Sequence, residues 1–196
     1  MKKFFFAVFI LGIGAWLIAQ NGVKPKSPDA VVPEQPKLVV GIVIDQMRFD
    51  YVYRFWNKFG NDGFKRLMSQ GFNCRNMNFN YVPTYTGPGH TSIYTGTFPA
   101  IHGIISNEWY DRESGKDVYC VQDDNVNPVG TTSDEGKRSP VRNLSTTVGD
   151  QLRLSDNMKS KVVGVALKDR AAILPAGHTA NEAFWYDGSS GNFISS

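Results

Sequence analysis

The chain has 196 residues, of which 41% are hydrophobic, 13% aromatic and 20% charged, so disordered, collagen-like and disulfide-framework compositions are excluded and one compact domain is the ceiling. A chain of this length buries a substantial core, roughly 70% of its surface at about 150 residues. The formal charge of +3 rests in part on Lys2 and Lys3 near the N-terminus, and the remainder lies too close to neutrality for a nucleic-acid-binding domain.

Residues 1–19 carry those two lysines and then an unbroken apolar run from Phe4 to Ala19, which reads as a secretory signal peptide cleaved after Ala19. A transmembrane helix is the competing reading, since the run is only a little short of the roughly 20 apolar residues of a membrane span. No cysteine follows to take a lipid, so the expected product is periplasmic or secreted, with no stable membrane insertion. Residues 20–36 are proline-rich and without periodicity, a flexible tether. The folded domain is expected over 37–196. Cys74 and Cys120 are the only cysteines, and export permits a disulfide, but spacing alone does not decide between a bridge and two small apolar side chains.

Leu38 to Asp45, LVVGIVID, is a continuous apolar run of strand length, as in a parallel sheet covered on both faces. From Phe49 to Gln70 apolar residues recur at helical spacing, and Asn61, Asp62 and Gly63 divide them into two helices. Phe72 to Tyr81 reads as a strand, and the following segment turns into a helix that begins near Thr86. Glu113 to Lys116 sits between extended residues, a hairpin. Asp123 to Pro140 is a polar loop. Thr146 to Leu154 is expected to be helical with Val148, Leu152 and Leu144 on its buried side. Lys161 to Asp169 is a second buried strand, and a hairpin closes the chain. The order strand, helix, strand, helix, strand gives an α/β class with a mostly parallel sheet flanked by helices.

Ligands of such sheets bind beyond the carboxyl ends of the strands. Asp45 and Thr86 both stand there, each with a plain alternative as a turn former or helix cap. Thr86 precedes Gly87, Pro88, Gly89 and His90, and the N-terminus of the helix offers free N–H groups and a positive dipole end to an anion. A threonine hydroxyl is a weak nucleophile unless a base or metal activates it. No local Ser-His-Asp arrangement is visible, so metal activation with Asp45 as a hard oxygen ligand is the better reading. Lys168 and Arg170 flank Asp169 at the end of the second strand, where alternation puts both cations on one side, suited to a phosphoryl group. Asn107 reads either as an uncharged donor to an oxyanion or as the start of the hairpin. His90, His102 and His178 are expected to make structural hydrogen bonds.

VGIVIDQMRFDY, PTYTGPGHTSIYTGTFPAIHGIISNEWYD and GVALKDRAAILPAGH together resemble the alkaline phosphatase superfamily, and within it the exported bacterial phosphomonoesterases of the type I phosphodiesterase/nucleotide pyrophosphatase group. The resemblance runs from about Leu38 to the end of the chain. It implies two zinc ions, Asp45 as a ligand of one of them, Thr86 as the nucleophile and a metal ligand, and Asn107, Lys168 and Arg170 as the binders of the phosphoryl group. The implied substrates are small phosphate monoesters, hydrolysed through a phosphothreonine intermediate. A diesterase or nucleotide pyrophosphatase shares the Asp and Thr positions and is the nearest alternative. Most zinc ligands of the superfamily come from segments beyond the equivalent of Ser196, so the resemblance also implies an N-terminal part of a catalytic domain, inactive alone.

Overall fold

A computed structural model describes residues 36–196; the expected signal peptide, and the tether up to residue 35, lie outside the described residues. The described chain falls into two units, one ending at Ile42 and the other running from Val43 to Ser196. Among the described residues no helix is long and apolar enough to cross a membrane.

Two expected strands are absent. Leu38 to Asp45 has no ladder partner among the described residues and ends in a turn at Asp45 and Gln46. β-propensity expresses packing on a pleated, half-buried surface, and a central strand forms only when neighbouring strands satisfy its edges. Phe72 to Tyr81 is irregular, with a turn at Arg75 and Asn76 and bends at Asn80 and Tyr81; asparagines alternate with the apolar residues, and Asn78 Nδ2 donates to Asn76 Oδ1 at 3.1 Å, a local bond that competes with a ladder.

The expected helices around Asn61–Gly63 do form, as short α1 (Tyr51–Arg54) with a 3-10 turn at Trp56–Lys58, then α2 (Phe64–Gln70). Gly63, at φ 61°, makes the break. Helix α3 (Thr86–Thr95) starts where predicted and stops at left-handed Gly96. Short α4 (Pro99–His102), with proline in its first turn, leads to the hairpin β1 (Glu108–Asp111) and β2 (Lys116–Tyr119), in which Glu108 faces Tyr119 and Asp111 faces Lys116. The polar loop 123–140 holds one 3-10 turn, Asp134–Gly136.

Helix α5 (Val148–Ser155) is present, but its buried side is not the expected one: Val148, Leu152 and Leu144 are exposed, whereas Asp150 is fully buried. A capping box between Thr147 and Asp150 turns the polar first turn inward. The second predicted strand is β3 (Val163–Ala166), followed by α6 (Asp169–Ala176) and then β4 (Glu182–Asp187), parallel to β3. Gly164 permits this close β-α-β packing, since a Cβ there would stand 2.3 Å from the carbonyl oxygen of Ala172 on α6. β5 (Asn192–Ile194) returns antiparallel to β4 as the closing hairpin. The α/β class holds, with β3 and β4 the one parallel pair among the described residues. The core of Val43–Ser196 gathers Ile104, Cys120 and Val121 with Ala172, Ile173 and Leu174 of α6, and Trp185 and Ile194 of the sheet. Its burial, at about 25 cal/mol per Å² of apolar surface, holds α6 against the sheet.

Candidate active site

Thr86 is the first residue of α3, behind Tyr85, whose extended backbone turns the chain into the helix. Its side chain is 8% exposed and donates from Oγ1 to Oδ2 of Asp45 at 3.1 Å. The turn at Asp45 brings the carboxylate to the threonine without the expected strand. Lys168 Nζ approaches the same Asp45 oxygen at 3.5 Å. Three of the residues singled out in the sequence therefore meet at one atom.

Asn107 joins from the other side of the helix start. The backbone N–H of Gly87 donates to its Oδ1 at 2.7 Å, which fixes the orientation of the amide and leaves Nδ2 as the outward donor. The expected cradle of free N–H groups is narrowed: Gly87 spends its N–H on Asn107, and Pro88 has none.

Lys168 and Arg170 are not on a strand. β3 ends at Ala166, Lys168 is the residue before α6, and Arg170 lies in its first turn. The alternation predicted for them is replaced by helix geometry, and they border a shared cleft of about 490 Å³ that Tyr119 and Trp185 also line. Asp169 between them is buried. It accepts from Tyr119 Oη at 2.5 Å, from Arg138 Nε at 2.9 Å and from the backbone N–H of Arg170 at 2.6 Å. Arg170 donates from Nη1 to Tyr119 Oη at 2.7 Å. Burial works against its charge, but the contacts with Tyr119 and Asp169 outweigh it and hold the guanidinium pKa above its ordinary value.

Sequence reasoning missed Tyr119 and Arg138, and placed Asp169 on the side away from the two cations. Tyr119 ends a hairpin strand and Arg138 sits in a polar loop, and no local spacing links either to α6.

The histidines are structural, as expected. His90 Nδ1 pairs with Thr86 O at 2.8 Å, and His178 Nε2 pairs with Asn143 O at 2.7 Å. His102 Nδ1 accepts from the N–H of Ile104 at 3.1 Å, so Nε2 carries the proton and donates to Ser92 Oγ at 2.9 Å. That tautomer, with burial pulling the pKa down to about 4, makes His102 no base for Ser92. Cys74 is exposed and Cys120 buried, and they form no disulfide. Burial first, then the charge of Asp169, pushes the Cys120 thiol up to about 12.

Asp45 and Thr86 suit a divalent cation in type, being hard oxygen donors 3.1 Å apart. In number they do not complete a site: among the described residues no group of three His, Cys, Asp or Glu side chains gathers to hold a metal.

A threonine hydroxyl at a helix start, bonded to a carboxylate that a lysine also approaches, is consistent with what comparison of the whole sequence finds. Residues 39–194 match the Type I phosphodiesterase / nucleotide pyrophosphatase family, and the chain belongs to it. Alkaline phosphatase PhoV of Synechococcus elongatus is 59% identical over 88% of this chain and 32% of its own length. Alkaline phosphatase PafA of Elizabethkingia meningoseptica is 58% identical over 83% of this chain and 30% of its own. The crystal structure of wild-type PafA superposes with a TM-score of 0.81, at 57% identity over 83% of this chain and 31% of that one. A PafA variant with threonine changed to serine and with asparagine, lysine and arginine changed to alanine has also been solved, at a TM-score of 0.81 and 55% identity over 83% of this chain and 32% of that one. The chain spans about a third of the length of these relatives.

Proposed function

We propose that this chain is the N-terminal part of an exported, zinc-dependent phosphomonoester hydrolase in which Thr86 is the nucleophile and Asn107, Lys168 and Arg170 bind the phosphoryl group. The observation that carries the reading is the meeting of Thr86 Oγ1 and Lys168 Nζ at one Asp45 oxygen. The names of PhoV and PafA support the reaction class. The residue types substituted in the PafA variant, with the same separation between threonine and asparagine and between lysine and arginine as here, support the four roles.

Asp45 holds the hydroxyl of Thr86 in one direction by accepting its proton in a hydrogen bond, so the oxygen lone pairs face away from the carboxylate. Asn107 Nδ2 offers an uncharged donor, Lys168 a point charge and Arg170 a planar fork to the oxygens of an arriving phosphoryl group. Thr86 Oγ1 gives up its proton and attacks in line, forming the O–P bond as the P–O bond to the ester oxygen breaks and the leaving oxygen takes up a proton to depart as the alcohol; water then hydrolyses the phosphothreonine, restoring the hydroxyl and releasing phosphate. Asp45 and Thr86 would supply two oxygen donors to a zinc ion, which when bound lowers the cost of charge on oxygen.

The two cations also separate the monoesterase from a diesterase. A monoester presents a dianionic phosphoryl group, whereas a diester carries one charge fewer and a second substituent. The full-length protein is expected to turn over p-nitrophenyl phosphate with a kcat/KM well above that for bis(p-nitrophenyl) phosphate; the opposite ranking would overturn the monoester assignment.

Gly87 sets the geometry of Asn107. A Cβ at Gly87 would stand 3.1 Å from Asn107 Oδ1, 3.2 Å from Ser106 O and 3.4 Å from Cys120 Sγ, so the amide must retreat by a few tenths of an ångström. Gly87→Ala is expected to reduce kcat/KM for p-nitrophenyl phosphate roughly tenfold, because small misplacements at a reacting centre are costly. A change in thermal midpoint without a change in kcat/KM would place Gly87 in packing alone.

A further inference from the structure

We infer that Tyr119, backed by Asp169 and Arg138, is a positioning residue that holds the Arg170 guanidinium in its phosphoryl-binding orientation; this rests on the assignment of Arg170 above. The hydroxyl of Tyr119 has one proton, and it goes to Asp169 Oδ1 at 2.5 Å. Its lone pairs are thereby free for Arg170 Nη1, which donates to them at 2.7 Å. A guanidinium is planar, so tying Nη1 restricts the whole fork.

The far end of the chain of contacts is equally fixed. Asp169 Oδ2 is held by Arg138 Nε at 2.9 Å in an ion pair whose side chains are each 9% exposed. Arg138 is anchored through Nη1 by Gln122 Oε1 at 2.6 Å and by the carbonyl of Asp134 at 2.9 Å. The Tyr119 ring lies beneath both guanidiniums, 5.3 Å from Arg138 and 5.8 Å from Arg170. Burial, then the charge of Asp169, raises the Tyr119 phenol above its ordinary pKa, so it keeps its proton under alkaline conditions. Lys168 has no such support: its side chain is 45% exposed and touches Asp45 at 3.5 Å. Arg170 is the cation whose ordering is completed before substrate arrives, which lowers the entropy lost on binding.

The test is a double-mutant cycle in the full-length protein with Tyr119→Phe and Arg170→Ala, read as kcat/KM for p-nitrophenyl phosphate and as the inhibition constant of inorganic phosphate. Phenylalanine keeps the ring under both guanidiniums and removes only the hydroxyl. Tyr119→Phe is expected to lower kcat/KM and weaken phosphate inhibition roughly tenfold. In the Arg170→Ala background it is expected to change neither. Losses that multiply in the double variant, or a Tyr119→Phe variant equal to the parent beside an impaired Arg170→Ala, would overturn the inference. If Arg170→Ala alone changes neither readout, the phosphoryl-binding role of Arg170 fails first and the inference with it. Should Tyr119→Phe not fold, Asp169→Asn enters the same cycle and carries the same outcomes.

Discussion

Replacing Thr86 with alanine is expected to lower kcat/KM for p-nitrophenyl phosphate at least about 1000-fold in the full-length protein, because no neighbouring side chain can take over the covalent step. Thr86 is 8% exposed at the start of α3, and its Oγ1 donates to Asp45 rather than capping the helix, so the substitution removes one hydrogen bond and leaves the helix start intact. The accompanying loss of stability is about 1 kcal/mol. Thr86→Ser keeps the hydroxyl and its acceptor but frees the side-chain torsion that the methyl group restricts, and is expected to retain most of the activity. An acid-quenched reaction should carry phosphate on a peptide containing Thr86 in the parent and on none in Thr86→Ala. Undiminished turnover in a folded Thr86→Ala protein would remove the nucleophile from the proposal.

The parts of the fold that were legible in the sequence are those whose causes are local. The break between α1 and α2 needs only Gly63 and its polar neighbours, and the start of α3 needs only the turn residues before Thr86. The hairpin of β1 and β2 follows from its turn, where Asp111 accepts from the N–H groups of Glu113 and Ser114. Strand identity is a different matter. Val163–Ala166 becomes a strand because β4 pairs with it, while the similar apolar run at Leu38–Asp45 has no partner among the described residues and stays irregular. A hydrophobic run specifies burial, and the partner that turns burial into a ladder is chosen elsewhere in the chain.

The site divides in the same way. Asp45, Thr86, Asn107, Lys168 and Arg170 stand in long motifs and were all named from the sequence, and the contact of Asp45 with both Thr86 and Lys168 brings widely separated segments together. What fixes Arg170 was hidden, since Tyr119 and Arg138 reach it from the hairpin and from a polar loop. Asp169 was visible but read as pointing away from its neighbours. A strand would have done that; the first turn of α6 folds its carboxylate back under Arg170.

Asp150→Ala is expected to destabilise the protein by about 3 to 5 kcal/mol, read as a lower urea midpoint, and Asp150→Asn by less. The carboxylate is fully buried and accepts from the N–H and hydroxyl of Thr147 at 2.8 and 3.1 Å and from those of Thr179 at 2.7 and 2.8 Å. Alanine leaves these donors unsatisfied and unties the start of α5 from the segment after α6. Burial acts to raise the pKa of Asp150, but the hydrogen bonds from Thr147 and Thr179 prevail and hold it below the ordinary value of 3.8. A carboxylate with a depressed folded pKa contributes stability that is present above the unfolded value and lost as pH falls through the folded one. The stability gap between the parent and Asp150→Asn should therefore be constant near neutral pH and shrink from about pH 4 downward. Urea unfolding of both proteins across that range checks this, and a gap that stays constant on acidification would show that the charge of Asp150 does not hold α5 in place.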